Sequence, residues 1–397
     1  MAGYIYADNA ATTKTGAAAK AAMLAAMENS WGNPSSLYTP GQQAKEVLED
    51  ARRSIAAAIG AEAREIIFTS GGSEADNQAL RSAAALGAKK GKKHLISTAF
   101  EHHAVLRTLK ALEKEGFEVT LLDVHENGVV TAEDVAAAIR EDTALVSVMA
   151  VNNEIGTVMP IGAIGAVCRE KGVLFHTDAV QAVGHMLLDV RAQNIDMLSA
   201  SAHKFGGPRG AGFLYVRRGV GVQPLIAGGA QERGLRAGTE NLPAIAGMAA
   251  ALTEACANME AHAARLTDVR ERLIAGLSAI PHSRLNGDRV RRNPGTVNFC
   301  FEGIEGESLL LWLDARGIAA SSGSACTSGS LDPSHVLLSL GLPHEVAHGS
   351  LRLSPGVDIT DAEVEHIIAA VTEVVTYLRA MSPVWDALEN GERPHLI

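Results

Sequence analysis

From about residue 14 to about residue 260, short apolar runs rich in β-branched residues alternate with longer Ala-rich stretches. The runs are "EIIFTS", "HLISTAF", "EVTLLDV", "TALVSVMAV", "VLFHTDA", "DMLSASA" and "AGFLYVRR", with segments such as "EADNQALRSAAALGAKK" and "GAIGAVCREKG" between them. Apolar runs of this kind read as strands buried on both faces, and the Ala-rich segments as helices. The alternation specifies an α/β fold, a mostly parallel sheet covered by helices on both sides. Only "HKFGGPRG" separates the last two runs, too little chain for a crossover helix, so that pair is expected to be antiparallel. From about residue 262 the pattern changes to one long helix, "HAARLTDVRERLIAGLSAI", then strands "TVNFCFEGI" and "GIAASSG", short helices, "SLRLSP" and a closing helix from Asp361. This smaller part reads as an α+β module.

A chain of 397 residues exceeds what one hydrophobic core serves, and 47% hydrophobic residues suffice for two. With 35 basic against 45 acidic residues the net charge is -10, and no Lys/Arg-rich run is longer than the short "KKGKK" at Lys89 to Lys93, which argues against a nucleic-acid platform. The start, "MAGYIYADNAATT", lacks a basic region followed by an apolar stretch, and no window holds the ~18 apolar residues of a membrane span. A cytoplasmic protein without membrane contact is expected. The four cysteines, Cys168, Cys256, Cys300 and Cys326, show no paired spacing, so neither a disulfide framework nor a zinc ribbon is expected. Cys168, Cys256 and Cys300 read as packing residues. Cys326 lies in "SSGSACTSGS", whose residues can neither pack a core nor fill a strand.

Several residues could carry chemistry. Lys204 ends an apolar strand and is followed by Gly206, Gly207, Pro208 and Gly210, at the kind of strand end where ligands of α/β sheets bind. Desolvation there disfavours the ammonium form and yields a usable amine nucleophile; an isolated lysine in a hairpin is otherwise a solvated side chain. Asp178 ends another strand and suits either a protonated ring nitrogen or a helix cap. A pyridoxal phosphate enzyme needs that pair, a lysine for the aldehyde and a carboxylate that keeps the pyridine protonated. "EIIFTSGGSEADNQAL" runs strand, Gly71, Gly72, Ser73, helix, which fits either a phosphate at a helix N-terminus or an ordinary start capped by Ser73. His102 and His103 follow a strand, suited to stacking on a ring and to proton transfer near neutral pH. No Cys or carboxylate cluster accompanies them at ligand spacing, so no metal is expected.

The motifs "ADNAATT", "GNPSS", "TSGGSEADN", "EHHAVL", "VNNEIGTVMPI", "HTDAVQ", "SAHKFGGPRGAGFLYVRRG", "GGAQERGLRAGTEN" and "SSGSACTSGS" occur in the order seen in cysteine desulfurases of the class V aminotransferase family, which the chain resembles over its whole length. The resemblance implies the aspartate aminotransferase-like fold type I of pyridoxal 5'-phosphate enzymes. It implies a large cofactor-binding domain over 14–261 with a seven-stranded sheet, and a small domain of 1–13 and 262–397. Lys204 looks like the Schiff-base lysine, Asp178 the partner of the pyridine nitrogen, and Gln181 a donor to the cofactor's phenolic oxygen. His102 matches the residue that stacks on the ring and handles protons. Gly72, Ser73, Ser201 and His203 fall where the phosphate binds, and Thr239 matches a residue reaching the phosphate of the other subunit of a homodimer. Asn153 and Arg352 match the positions holding the substrate carboxylate, a task suited to the planar fork of Arg. Cys326 matches the nucleophile that attacks the sulfur of cofactor-bound L-cysteine, leaving a persulfide and releasing L-alanine; its Gly and Ser neighbours suit a tether. "SGSACTSG" running into "SLDPSHVL" resembles the longer-loop group that hands sulfur to an acceptor such as an iron-sulfur scaffold, for cluster assembly or tRNA thiolation. Selenocysteine lyase, another class V enzyme, and a catalytically silent sulfur-relay protein are the alternatives. Tyr38 stands where many members have histidine, and Pro355 follows the expected Arg-x-Ser pattern.

Overall fold

The computed structural model describes residues 3–322 and 332–397; Cys326 lies outside the described residues. Twelve strands are found among them: β1 Ile5–Tyr6, β2 Ile66–Thr69, β3 His94–Thr98, β4 Glu118–Leu122, β5 Thr143–Ser147, β6 Leu174–Asp178, β7 Met197–Ser201, β8 Gly212–Val216, β9 Ser283–Leu285, β10 Val297–Phe301, β11 Ile318–Ala319 and β12 Ser350–Leu353. All seven sequence-predicted strands of the first part join one sheet, in the order β2-β8-β7-β6-β5-β3-β4. Strands β3 to β7 run parallel, and β8 is antiparallel to β7 as expected. It is antiparallel to β2 as well, so β8 alone is reversed and sits between two strands of the common direction.

The apolar runs bury both faces because neighbouring residues of one strand enter different cores. Ile66 and Phe68 pack on one side and Ile67 on the other; Ile96 and Leu95, Val146 and Leu145, Phe213 and Leu214 divide the same way. The Gly72–Ala88 helix lies close to the sheet because its inward residues are small. Ala75, Ala79, Ala83 and Gly87 recur every fourth position, and a Cβ at Gly87 would come within 2.4 Å of Ala144 Cβ. Close packing of this helix fixes where its N-terminus opens.

Outside the sheet, β12, β10 and β9 form an antiparallel sheet, and β1 pairs in parallel with β11. Ile5 and Ala7 share a core with Leu273, Phe299, Leu351 and Val371 of the C-terminal part. After β1 the chain crosses back to the large sheet: the Ser354 hydroxyl accepts from Ala10 N–H, and Thr13 N–H donates to His203 O at 2.9 Å. Ala10 to Thr13 therefore sit against the end of β7. No single helix among the described residues is long and apolar enough to cross a membrane.

Candidate active site

Because β2, β3, β5, β6 and β7 share a direction, their carboxyl ends lie along one sheet edge, where ligands of such sheets bind. A cavity of about 490 Å³ opens there, within the range of small-molecule sites. Gly71, Gly72 and Ser73 follow β2, His102 follows β3, Asn153 follows β5, Asp178 closes β6, Ser201 closes β7, and His203 and Lys204 follow it; all line the cavity. Gln181 and Arg352, from β12, complete the set. Of the sequence-predicted site residues that are described, Thr239 is the one the structure does not bring to the cavity; it is exposed.

Lys204 closes a short 3-10 turn at Ala202–Lys204, and its Nζ donates to the carbonyls of Ala10 and Ala11 at 2.6 and 2.8 Å. The same Ala10 carbonyl accepts from Gln181 Nε2 at 2.9 Å. The backbone carbonyl of Lys204 accepts from His185 Nε2 at 2.9 Å. The solvated-hairpin alternative is thus excluded: the amine is aimed inward and bound. Asp178 is almost fully buried, and burial pushes its carboxyl up, opposed by His102, by the Val180 N–H that Oδ1 accepts at 2.9 Å, and by Lys204. His102 caps the His103–Lys114 helix, its Nδ1 accepting from Ala104 N–H at 3.1 Å, which leaves the neutral ring's proton on Nε2. Burial pushes this imidazole below its ordinary 6.5, with Asp178 opposing. Burial beside Lys204 and Arg209 likewise takes His203 down to about 4.

The N-cap of the Gly72–Ala88 helix is Gly71, not Ser73, and no side chain caps it. Its first N–H groups therefore face the cavity together with the Ser73 and Ser201 hydroxyls, a cup for an anion. Side chains would fill this cup: a Cβ at Gly72 would fall 2.6 Å from Val180 Cγ2, and one at Gly212 would fall 2.6 Å from Gly71 Cα. We expect Gly72→Ala to cost about 1–3 kcal/mol through this overpacking and to weaken cofactor retention, read by thermal unfolding with and without added pyridoxal phosphate. Arg352 is 2% exposed and bridges modules: Nη1 donates to Asn153 O at 2.9 Å and Nη2 to Asp8 at 2.8 Å. An amine, a buried carboxyl, an imidazole and an uncapped helix N-terminus lining one cavity fit pyridoxal phosphate in their chemistry.

The sequence did not single out Asp76, Glu101, Glu154 or His335. Glu101 is fully buried, accepts from Thr98 and from Met149 N–H, and is pushed up to about 8 by burial. His335 Nε2 donates to Glu101 O at 3.0 Å, and its ring lies 4.6 Å from that of His103. Adjacent histidines flagged this region, but no sequence signal pairs His103 with a residue 232 positions on. Of the cysteines described, burial drives Cys168 and Cys300 up to about 12, in keeping with packing roles. Among the described residues, His282, Glu302 and His395 also bring metal-ligating atoms together. The two rings are stacked at 3.6 Å and 17°, and both Nδ1 atoms face Glu302 Oε2, at 3.6 Å from His282 and 2.7 Å from His395. Glu302 accepts from His395 Nδ1 and Leu396 N–H, each at 2.7 Å, an arrangement that clasps the last residues onto β10.

Residues 5–367 match the family model for aminotransferase class V. Cysteine desulfurase IscS of Clostridium botulinum is 52% identical over 392 residues, 98% of each chain. The protein of the same name from Methanosarcina thermophila is 51% identical over 380 residues, covering 96% of this chain and 94% of its own. Among solved structures, a NifS-like protein superposes with a TM-score of 0.88 at 35% identity, covering 94% of this chain and all of its own. SspA in complex with cysteine does so with 0.78 at 36%, over 89% and 99%. The chain belongs to the class V aminotransferase family of pyridoxal phosphate enzymes. Within that family it belongs with the cysteine desulfurases.

Proposed function

We propose that this chain converts L-cysteine to L-alanine and passes the sulfur, as a persulfide on Cys326, to an acceptor protein. The observation that carries the reading is the meeting of the Lys204 amine, the buried Asp178 carboxyl and an uncapped helix N-terminus in one cavity with buried Arg352. Pyridoxal phosphate, when bound, supplies an aldehyde for an amine and a protonated ring that takes up electron density from the substrate's α-carbon. Gly72, Ser73, Ser201 and His203 would hold its phosphate, Asp178 would keep its ring nitrogen protonated, Gln181 would donate to its phenolic oxygen, and His102 would serve as the proton-handling group beside it. Arg352 and Asn153 receive the substrate carboxylate. Lys204 removes the α-proton, its amine already directed into the cavity by Ala10 and Ala11. The Cys326 thiolate then attacks the substrate sulfur: an S–S bond forms, the C–S bond breaks with its electron pair left on the carbon side, and protonation there completes alanine. The exposed position of Thr239 and the exposed apolar residues Trp31 and Leu37 support a homodimer in which Thr239 serves the other subunit. The pairing of β1 with β11 supports a small domain of 1–13 and 262–397 beside a large one of 14–261.

His102 sets the pH dependence. Its neutral ring accepts the Ala104 bond, and a protonated ring would place a second cation near Lys204. Since burial lowers its pKa, the neutral form prevails at pH 7 and is lost only as pH falls below the ordinary 6.5. We expect kcat/KM to fall on that acid side, and His102→Gln to lower the rate about 10²–10⁴-fold and flatten that limb. A His102→Gln enzyme with the wild-type profile would remove His102 from proton transfer.

A further inference from the structure

Beside Asp178 lies a second carboxyl that the mechanism above does not use. Asp76, in the Gly72–Ala88 helix, lines the cavity, is 1% exposed, and its Oδ1 has no hydrogen-bond partner. The nearest ring is that of His176, with Nε2 3.7 Å from Oδ1. That imidazole is occupied by the hydroxyls of Ser147 and Ser199, each at 2.9 Å, and burial takes it down to about 3, so it offers Asp76 no positive charge. The other groups facing Asp76 are the Ser199 hydroxyl and two further carboxyls, Asp178 and Glu101. Register brings the first of these in: Ser199 on β7 is paired with Asp178 on β6.

Two carboxyls facing each other in a water-poor wall do not both ionise, and the charge settles on the one with better partners. Asp178 has the Val180 N–H, and the Lys204 ammonium favours its anion. Asp76 has neither a backbone donor nor a cation. Burial, then Asp178, holds its carboxyl well above the usual range.

We propose that Asp76 is the neutral half of a carboxyl pair with Asp178: it keeps the pair's one proton, so that a single negative charge faces the cofactor's ring nitrogen, and it takes over that charge when Asp178 is neutralised. The inference rests on the reading that Asp178 faces the ring nitrogen. Asp76 acts through Asp178 and is a positioning residue.

The test compares holoenzymes carrying Asp76→Asn, Asp178→Asn and both, by the cofactor's absorption spectrum across pH and by its dissociation constant. Asn is an isostere of a protonated carboxyl, so Asp76→Asn is expected to keep the wild-type spectrum and affinity within about twofold. Asp178→Asn is expected to weaken cofactor binding and shift the spectrum, and the double variant to bind at least about tenfold more weakly than Asp178→Asn alone. Infrared difference spectra of wild type against Asp76→Asn supply a readout that needs no double variant: a protonated-carboxyl band is expected to disappear. An Asp76→Asn effect as large as that of Asp178→Asn, a double variant no worse than Asp178→Asn, or no lost carboxyl band would each overturn the pair. An Asp178→Asn enzyme with an unchanged spectrum would instead overturn the placement of Asp178 on which the pair depends.

Discussion

Lys204→Ala is expected to reduce alanine formation at least about 10³-fold, since it removes both the nucleophilic amine and the group that takes the α-proton. The fold should survive. The turn that carries Lys204 is held by backbone bonds from Phe205 and Gly207 to Ala202 O and by His185 on the Lys204 carbonyl, none of which uses the amine. The variant should bind pyridoxal phosphate without a covalent link, so that gel filtration strips the chromophore that wild type retains. A stripped but fully active variant, or a chromophore retained as in wild type, would assign the amine's work to another residue.

The second large effect is expected at Arg352. Among the described residues its guanidinium donates to Asn153 O and to Asp8, bonds that hold the fork before substrate arrives. Arg352→Lys keeps a positive charge but cannot hold both anchors and present a planar pair of donors. One charge-assisted bond lost corresponds to about 1.5–3 kcal/mol, so KM for L-cysteine should rise roughly 10- to 100-fold with a smaller change in kcat. Steady-state kinetics separate the outcomes: a fall in kcat at constant KM would mean that Arg352 acts on the transition state and not on the bound carboxylate.

The central sheet was legible because six of its seven strands are covered on both faces, and such strands announce themselves as apolar runs bounded by helices; the edge strand β4 is only partly buried. Strands β1 and β9 were not, since Ile5–Tyr6 and Ser283–Leu285 are too short to show a period and become strands only through distant partners. The reversal of β8 was readable from the short turn before it. Its pairing with β2, which sets Gly212 against Gly71, was not, because nothing local to either strand encodes the other. At the site, Lys204 and Asp178 were readable only together and with the ordered motifs around them, because each alone fits an ordinary role, a solvated lysine in a hairpin or a helix cap. Asp76 was not, because in the sequence it is one polar residue in an amphipathic helix; only the fold shows that it is buried, faces Asp178 and has neither a backbone donor nor a cation beside it. Gly71 displaced Ser73 as the cap because the chain must pass β8 backbone to backbone before the helix starts, which frees the Ser73 hydroxyl for the cavity.

The central claim is that sulfur leaves L-cysteine onto Cys326. The most direct measurement is mass spectrometry of the holoenzyme after brief incubation with L-cysteine and no reductant, with alanine quantified in the same sample. One added sulfur atom is expected on the peptide containing Cys326, in step with the first turnover of alanine, and neither product is expected from Cys326→Ala. Sulfur found on another cysteine, or alanine released at the wild-type rate by Cys326→Ala, would contradict it.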